Sequence, residues 1–156
     1  MGSRTPPGTL AGLVAPAADA EGAHERIRTL IADDSAVCRR AVWLLLAKLP
    51  QVEMVGAAED GVDAVALVAS TRPDLVLLDL QMPRLDGLQA ARKIRAEFPG
   101  VRVIMTTFND SAESKAASVA SGVDRFIPKA CLRDELPGAI AQLFSGHAGG
   151  AEGERP

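Results

Sequence analysis

The stretch that decides the fold is PDLVLLDLQMPRLDG, residues 73–87. Its four consecutive apolar residues, 75–78, are typical of a short strand that is buried on both faces. Asp79 follows this strand directly, and Pro83 and Gly87 then turn the chain. Because a buried carboxylate is costly unless it is paired or binds a cation, we expect Asp79 to have charged partners or a chemical role.

Apolar strands and helices alternate on either side of this stretch. We predict strands at 26–33, 52–58, 75–79, 101–107 and 124–128, and helices at 35–49, 61–71, 87–98, 111–122 and 132–144. Five strand–helix units favour right-handed crossovers and a parallel sheet with helices on both faces. The predicted fold class is therefore α/β with a doubly wound, five-stranded parallel sheet, but alternation alone leaves the strand order open.

Composition excludes several classes of protein. The chain has 156 residues, a formal net charge of -3 and only 3% aromatic residues, which argues against direct nucleic-acid binding. Cys38 and Cys131 fit a reduced compartment and lack metal-ligand spacing. No signal-peptide pattern or apolar run of about 20 residues is present, so we expect a cytoplasmic protein without a membrane partner.

The two ends of the chain differ in composition from the rest. Residues 1–24 and 147–156 are rich in Gly, Pro and Ala and have no sustained period, so we interpret them as disordered tails. The expected domain spans residues 25–146.

Polar side chains follow four of the five predicted strands. They are acids, hydroxyls and an amine: Asp33, Asp34, Asp79, Thr106, Thr107 and Lys129. Each alone has an ordinary structural explanation, such as a helix cap or a solvated lysine. Because the carboxyl ends of parallel strands meet at one edge of a sheet, their convergence there favours a site.

The chemistry of such a cluster can be inferred from its charges. Two carboxylates 4 Å apart repel by about 4 kcal/mol at an effective dielectric of ~20, so the cluster requires a cation or protons. Oxygen ligands in an open cage favour Mg²⁺ over Ca²⁺. The neutralised Asp79 could then attack a phosphoryl group, with Lys129 supplying charge and Thr107 a hydrogen bond.

Four segments together resemble the signature of a two-component response-regulator receiver domain. They are IADDSAVCR (31–39), LLDLQMPRLDG (77–87), VIMTT (103–107) and FIPKA (126–130), within a match over roughly residues 25–145. The resemblance implies a flavodoxin-like (βα)5 fold with strand order 2-1-3-4-5. It also implies phosphorylation by a sensor histidine kinase or phosphotransfer protein, and output by contact of the fourth-helix, fifth-strand and fifth-helix face with a downstream protein. No catalysis is expected beyond the chain's own phosphorylation and dephosphorylation.

The resemblance also implies roles for individual residues. Asp79 matches the phosphoacceptor, and it is expected to hold Mg²⁺ together with Asp33, Asp34 and the backbone carbonyl of Gln81. Lys129 matches the site lysine of the family. Thr107 rather than Thr106 matches the switch hydroxyl, because 103–105 form the strand body.

Other positions match residues that adjust the family's behaviour. Phe126 matches the aromatic switch side chain, and Gln81, Phe108 and Asn109 match positions that tune phosphorylation and dephosphorylation. The bulky Phe108 departs from the small residue often found there. We expect it to narrow access for small phosphodonors and for water.

Trp43 is the candidate contact for a kinase. The segment AVWLLLAKL (41–49) is apolar almost all round, and we place Trp43 beside Arg39, away from a stripe of Ala41, Leu45 and Leu49. Two interpretations remain open. Trp43 is an exposed contact, since receivers dock their kinase through this helix, or it folds over the Arg39 stem.

Other functions remain as alternatives. A phosphorylation-independent receiver-like module would have lost site residues, and all five positions are present here. A phosphatase of the haloacid dehalogenase type would have a second Asp where Gln81 stands, and it would need room for a cap domain. A receiver fragment of a longer transcriptional regulator is the third alternative. Only eleven residues follow Ser145, so we expect a stand-alone receiver.

Overall fold

The computed structural model describes residues 26–146, and within them strands and helices alternate as predicted. The elements are β1 Ile27–Ala32, α1 Ala36–Ala47, β2 Val52–Ala58, α2 Gly61–Thr71, β3 Leu75–Asp79, α3 Gly87–Glu97, β4 Arg102–Thr107, α4 Ala112–Ala120, β5 Arg125–Pro128 and α5 Leu132–Leu143, with a 3-10 turn at Lys129–Cys131. Every bound lies within two residues of its prediction. The predicted tails, 1–24 and 147–156, fall outside the described residues.

The five strands form one parallel sheet in the order β2-β1-β3-β4-β5. This confirms the predicted fold class and the strand order that the resemblance implied. Among the helices within residues 26–146, none is both long enough and apolar enough to cross a membrane.

Alternate residues of each strand face one of two apolar layers. The layer under α1 and α5 contains Leu75, Leu77, Ile104 and Ile127, and the layer under α2 and α3 contains Val76, Leu78, Val103 and Met105. Since side chains alternate along a strand, Asp79 and Thr106 face the α1–α5 side. Thr107 faces the α2–α3 side by the same rule.

Helix N-termini are capped at the carboxyl edge of the sheet. Ser35 is the N-cap of α1, and its hydroxyl accepts a hydrogen bond from the backbone N–H of Cys38. Asp60 caps α2 in the same way, and Asp86 forms a capping box with Gln89 at the start of α3. The loops at this edge therefore have defined conformations.

Two backbone hydrogen bonds fix the turn after β3. The N–H of Leu80 donates to the Thr106 carbonyl at 2.8 Å, and the N–H of Gly87 donates to the Leu80 carbonyl at 2.8 Å. A Cβ atom on Gly87 would overlap the carbonyl oxygen of Asp79, so only glycine allows α3 to begin this close to the strand. Asp79 is thus fixed by backbone contacts around it.

The predicted arrangement of α1 is wrong in part, since Leu45 and Leu49 of the predicted stripe do pack against the α1–α5 layer. Val42 and Leu46 are its buried residues, and Ala41 is exposed. Trp43 is half-buried and packs against the α1–α5 layer. Residues four apart share a helix face, so Val42 and Leu46 point at the sheet and Trp43 lies on the flank of that stripe. Trp43 is therefore not opposite the apolar stripe, and its contact with a kinase stays a prediction.

Candidate functional site

Three carboxylates converge at the carboxyl ends of the neighbouring strands β1 and β3. Asp33 and Asp79 are buried, with 2% and 5% of their surfaces exposed, whereas Asp34 is exposed. One oxygen from each carboxylate lies within 4.8 Å of the others. The predicted convergence of these three acids is therefore present in the fold.

Lys129 brings a positive charge to the two buried acids. Its Nζ lies 2.7 Å from an Asp33 carboxylate oxygen and 3.5 Å from an Asp79 oxygen. Burial by itself would lower the pKa of Lys129, but the hydrogen bond to Asp33 and the charges of Asp79 and Asp33 outweigh it and raise that pKa. Lys129 is therefore a cation at neutral pH.

Asp79 holds its negative charge less readily than an ordinary aspartate. Burial, reinforced by the nearby charge of Asp33, raises the pKa of Asp79 from 3.8 to about 6, although Lys129 partly opposes the shift. A cation bound beside Asp79 would favour its ionised form. The charge balance of the site therefore points to a bound cation.

The carboxylate geometry fits a magnesium ion. Two ligands of Mg²⁺ at about 2.1 Å can be at most ~4.2 Å apart, so oxygens within 4.8 Å need only small side-chain movements to reach one ion. The backbone N–H of Ser35 donates a hydrogen bond to the Asp33 carboxylate at 2.9 Å and orients it. The backbone carbonyl of Asp33 accepts a hydrogen bond from the Arg39 guanidinium at 2.8 Å. Gln81 is exposed in the turn after β3, and a role for its carbonyl stays a prediction.

The two predicted switch residues lie on the same side of the sheet. Thr107 is buried, and its hydroxyl accepts a hydrogen bond at 3.1 Å from the backbone N–H of Asn109. Phe126 pairs in register with Met105 and packs half-buried against the α2–α3 layer, the side that Thr107 also faces. Thr106 rather than Thr107 is the register partner of Asp79, so the assignment of Thr107 as the switch hydroxyl and the switching movement both stay predictions.

Sequence reasoning singled out Phe108 but missed its contact. Its side chain is 73% exposed, and Lys129 Nζ lies 4.7 Å from the centre of its ring, which is a cation–π distance. Asn109 and Gln81 are also exposed, and both lie close in the sequence to residues of the site. The unusual size of Phe108 was the only signal in the sequence, because the contact depends on β5 lying beside β4.

Thr106 is one of the polar residues predicted at the carboxyl edge, but the choice of a switch hydroxyl from the sequence passed over it. It pairs directly with Asp79 across β3 and β4 and faces the same layer. Its buried hydroxyl has no hydrogen-bond partner among residues 26–146. The sequence contains no signal for this, because a threonine in a strand is ordinary.

Comparisons of this chain with known proteins all point to one family. A model of the response regulator receiver domain matches residues 29–141. The chain is 40% identical over 106 residues to a protein-glutamate methylesterase/protein-glutamine glutaminase of Pyrococcus abyssi. It is 32% identical over 124 residues to YxjL of Bacillus subtilis, an uncharacterized transcriptional regulatory protein.

The aligned regions cover unequal shares of the proteins compared. They take in 67% of this chain and 28% of the methylesterase, and 80% of this chain and 57% of YxjL. The signal receiver domain of the response regulator NarL from Mycobacterium tuberculosis superposes with a TM-score of 0.74 at 30% identity, over 80% of this chain and 100% of that one. The chain thus spans part of the two relatives and the whole of the isolated domain.

Proposed function

Because the chain belongs to the response regulator receiver domain family, we propose that it accepts a phosphoryl group on Asp79 from a sensor histidine kinase or a phosphotransfer protein, in a Mg²⁺-dependent reaction. The observation that carries the proposal is the buried Asp79 beside Asp33, Asp34 and Lys129 at one edge of the sheet. A structural ion pair needs one acid and one base, whereas this cluster has acids in excess. The proposed setting is the cytoplasm.

The chemistry follows from the side chains present. A carboxylate oxygen of Asp79 attacks phosphorus, and the bond from phosphorus to the donor's nitrogen or oxygen breaks, its electron pair leaving with the donor. Mg²⁺, held by Asp33, Asp34 and Asp79, would neutralise charge on the phosphoryl oxygens. Lys129 lies close enough to Asp79 to pair with one of those oxygens. No catalysis on another substrate is part of the proposal.

Access to Asp79 is proposed to be from the side of α4. A cavity of about 660 Å³ opens between the turn after β3 and α4, with Asp34, Gln81 and Ser114 in its lining. Asp34 belongs to the carboxylate cluster, so this cavity adjoins the place where a phosphodonor would bind. A small phosphodonor fits such a volume easily.

The proposed output is a change on the face formed by α4, β5 and α5. A phosphoryl group adds about -1.5 to -2 charge and new acceptor oxygens beside Asp79. A threonine hydroxyl at the end of β4 would move to hydrogen-bond it, and Phe126 would turn into the vacated space. The resemblance implies Thr107 for this role, whereas Thr106 is the register partner of Asp79. A downstream protein would read that change by direct contact.

The proposal is tested by intact-mass spectrometry after incubation with Mg²⁺ and acetyl phosphate. Wild type should gain one phosphoryl group, and Asp79→Asn should gain none. Asp110→Asn, which removes an exposed acid, is the matched control and should behave as wild type. A wild-type chain that gains no adduct from acetyl phosphate, nor from a cognate kinase, would show the proposal to be wrong.

A second candidate is that this receiver works as one part of a longer transcriptional regulator. It is favoured by YxjL, a transcriptional regulatory protein of which the match covers 57%. An antibody raised against the domain distinguishes the two candidates by immunoblot of the native cells. A band near 16.3 kDa supports the stand-alone receiver, and a larger band supports the longer regulator.

A further inference from the structure

Arg39 of α1 is bound to the backbone at the end of β1. Its Nη1 donates a hydrogen bond at 2.8 Å to the backbone carbonyl of Asp33, and its side chain is only 21% exposed. A hydrogen bond from a charged donor is stronger than one from a neutral donor, and partial burial shields it from competing water. Arg39 therefore ties α1 to the backbone that carries the acidic pair.

The carbonyl that Arg39 binds belongs to the peptide unit between Asp33 and Asp34. The N–H of Asp33 is also fixed, since it donates to the Ala58 carbonyl of β2 at 3.1 Å. On the other side of Asp34, the N–H of Ser35 donates to the Asp33 carboxylate at 2.9 Å. A peptide unit is planar and rotates as one body. The bond from Arg39 therefore sets the direction in which the chain enters Asp34.

Asp34 depends on its backbone more than the other two acids do. Lys129 Nζ lies 2.7 Å from Asp33 and 3.5 Å from Asp79, so both buried carboxylates have a charged partner. The exposed side chain of Asp34 has no hydrogen bond or ion pair with any residue between 26 and 146. Its place in the carboxylate cluster is therefore set by the peptide units on either side of it.

The other contact of Arg39 does not account for its position. Nη2 lies 4.0 Å from a carboxylate oxygen of Glu59, whose side chain is 75% exposed. An exposed pair at that distance contributes little to stability. The charge of Arg39 would by itself repel a cation at the neighbouring acids, so charge alone does not favour an arginine here. The hydrogen bond to Asp33 is the contact that would benefit a cation site.

We infer that Arg39 is a positioning residue for the Mg²⁺ site. By holding the peptide unit between Asp33 and Asp34, it keeps the Asp34 carboxylate close enough to the other two acids to share one ion. The inference rests on the proposed function for the identity of that ion. Arg39 itself touches neither the ion nor the phosphodonor.

The test compares variants of the full chain by their affinity for Mg²⁺. Arg39→Met removes the donor and the charge but keeps the apolar stem, whereas Arg39→Lys keeps the charge and a donor. Glu59→Gln removes the ion pair alone, and Arg40→Met is the matched control, because Arg40 is the exposed neighbour on the same helix. Amide NMR spectra are followed as MgCl₂ is added at constant ionic strength. Hydrogen exchange of the Ser35 amide is measured separately in EDTA.

We expect Arg39→Met to raise the dissociation constant for Mg²⁺ about 10-fold, as is usual when a group that orients metal ligands is lost. In EDTA its Ser35 amide should exchange several-fold faster, because the loop opens more often. Arg39→Lys should restore most of both properties. Arg40→Met and Glu59→Gln should bind Mg²⁺ within about twofold of wild type. A general loss of stability would not change the affinity of the molecules that stay folded.

Three results would overturn the inference. An Arg39→Met variant that binds Mg²⁺ as tightly as wild type shows that the hydrogen bond does not position the acids. Tighter binding by Arg39→Met shows that Arg39 acts through its charge alone. An Arg39→Lys variant that binds as weakly as Arg39→Met shows that a donor at this position does not support the site.

The inference and the proposed function can fail separately. A wild-type chain that binds Mg²⁺ but forms no phosphoryl adduct would overturn the proposed function and leave the role of Arg39 standing. A wild-type chain that binds no Mg²⁺ would overturn both.

Discussion

Lys129 lies between two buried carboxylates, and the charge of the site depends on it. With Asp33, Asp34 and Asp79 ionised the acids carry a charge of -3, and the charge of Lys129 reduces this to -2. A divalent cation would bring the sum to zero. A divalent ion would therefore neutralise the site, and a monovalent ion would leave it negative.

Asp79 should make the metal-free protein less stable as the pH rises. Its pKa is about 6 in the folded protein, above the ordinary 3.8, so the folded state favours the protonated form. The stabilisation is complete below about pH 4 and is lost as the pH rises through about 6, an effect of about 3 kcal/mol at most. In EDTA, Asp79→Asn should therefore exceed wild type in free energy of unfolding at neutral pH, and the difference should shrink towards pH 4.

The measurement is urea unfolding of both proteins across that pH range. A difference that stays constant with pH would contradict the raised pKa of Asp79. Excess Mg²⁺ is the control, because a bound cation favours ionised Asp79 and should remove most of the wild-type disadvantage.

Phe108 should slow phosphorylation by small donors. Its exposed ring lies against the ammonium group of Lys129 at 4.7 Å, so it covers the group that would pair with phosphoryl oxygens. Phe108→Ala is expected to raise the rate of phosphorylation by acetyl phosphate several-fold, as measured by intact mass over time. Phe108→Tyr keeps the ring and should remain near wild type. Equal rates for all three proteins would contradict this.

Among the elements, the turn between β3 and α3 depends on an unusual backbone conformation. Arg84 has a φ of 67°, in the left-handed region that favours glycine. Its guanidinium holds Asp60, the N-cap of α2, at 2.9 Å and lies 3.5 Å from Asp63. The ion pairs offset the backbone strain, so the turn after Asp79 is tied to the start of α2.

Substitutions of Arg84 should separate strain from ion pairing. Arg84→Ala removes the ion pairs and keeps the strain, whereas Arg84→Gly removes both. We expect Arg84→Gly to be more stable than Arg84→Ala by about 1 kcal/mol, as measured by urea unfolding. Asp60→Asn keeps the N-cap of α2 and loses the charge, and it should lower the free energy of unfolding less than Arg84→Ala does. If Arg84→Ala proves the more stable of the two Arg84 variants, the backbone is not strained there.

The surface of α1 should contribute to docking of a kinase. Its exposed residues include Val37 and Leu44, whereas Trp43 packs against the α1–α5 layer. Leu44→Ser should slow phosphotransfer from the cognate kinase and leave the rate with acetyl phosphate and the unfolding temperature unchanged. Trp43→Ala should also lower stability, by about 2 kcal/mol, because it removes a half-buried ring. If Trp43→Ala retains kinase phosphotransfer, the docking interpretation of Trp43 is wrong.

At the scale of the whole molecule, the site forms where the direction of chain winding reverses. β1 lies between β2 and β3, so the crossovers on its two sides leave towards opposite layers. Open α/β sheets bind ligands in the crevice that this reversal creates. The carboxylates of β1 and β3 and the lysine after β5 therefore meet although they are far apart in sequence.

Mg²⁺ should stabilise the folded chain through this site. A ligand at 100 times its dissociation constant that binds only the folded state adds about 2.7 kcal/mol. Thermal unfolding of wild type should therefore shift upward with added Mg²⁺, and Asp34→Asn, an exposed position, should lose most of the shift. Glu97→Gln, on the exposed end of α3, is the control and should respond as wild type. If Mg²⁺ raises the unfolding temperature of Asp34→Asn as much as that of wild type, the ion does not bind at this site.

The accuracy of the sequence-based predictions depended on whether a feature is set by residues close together in the sequence or by distant ones. The bounds of β3, α2 and β2 were predicted to the residue, because hydrophobic period and turn residues are local features. The convergence of Asp33, Asp79 and Lys129 also followed, since parallel strands share one carboxyl edge. The orientation of α1 was missed, because an almost wholly apolar helix has no single face that its sequence marks as buried.

The sequence by itself determined the parallel α/β fold and the residues that meet at its carboxyl edge, because each depends on local pattern and on the direction of the strands. Only the tertiary structure decided the contacts made across strands. The cation–π contact of Phe108 with Lys129 depends on the register of β4 with its neighbours. The same register sets the surroundings of the Thr106 hydroxyl, which has no hydrogen-bond partner among residues 26–146. Register is set by the packing of the whole core, and a one-residue shift would turn Thr106 away from Asp79.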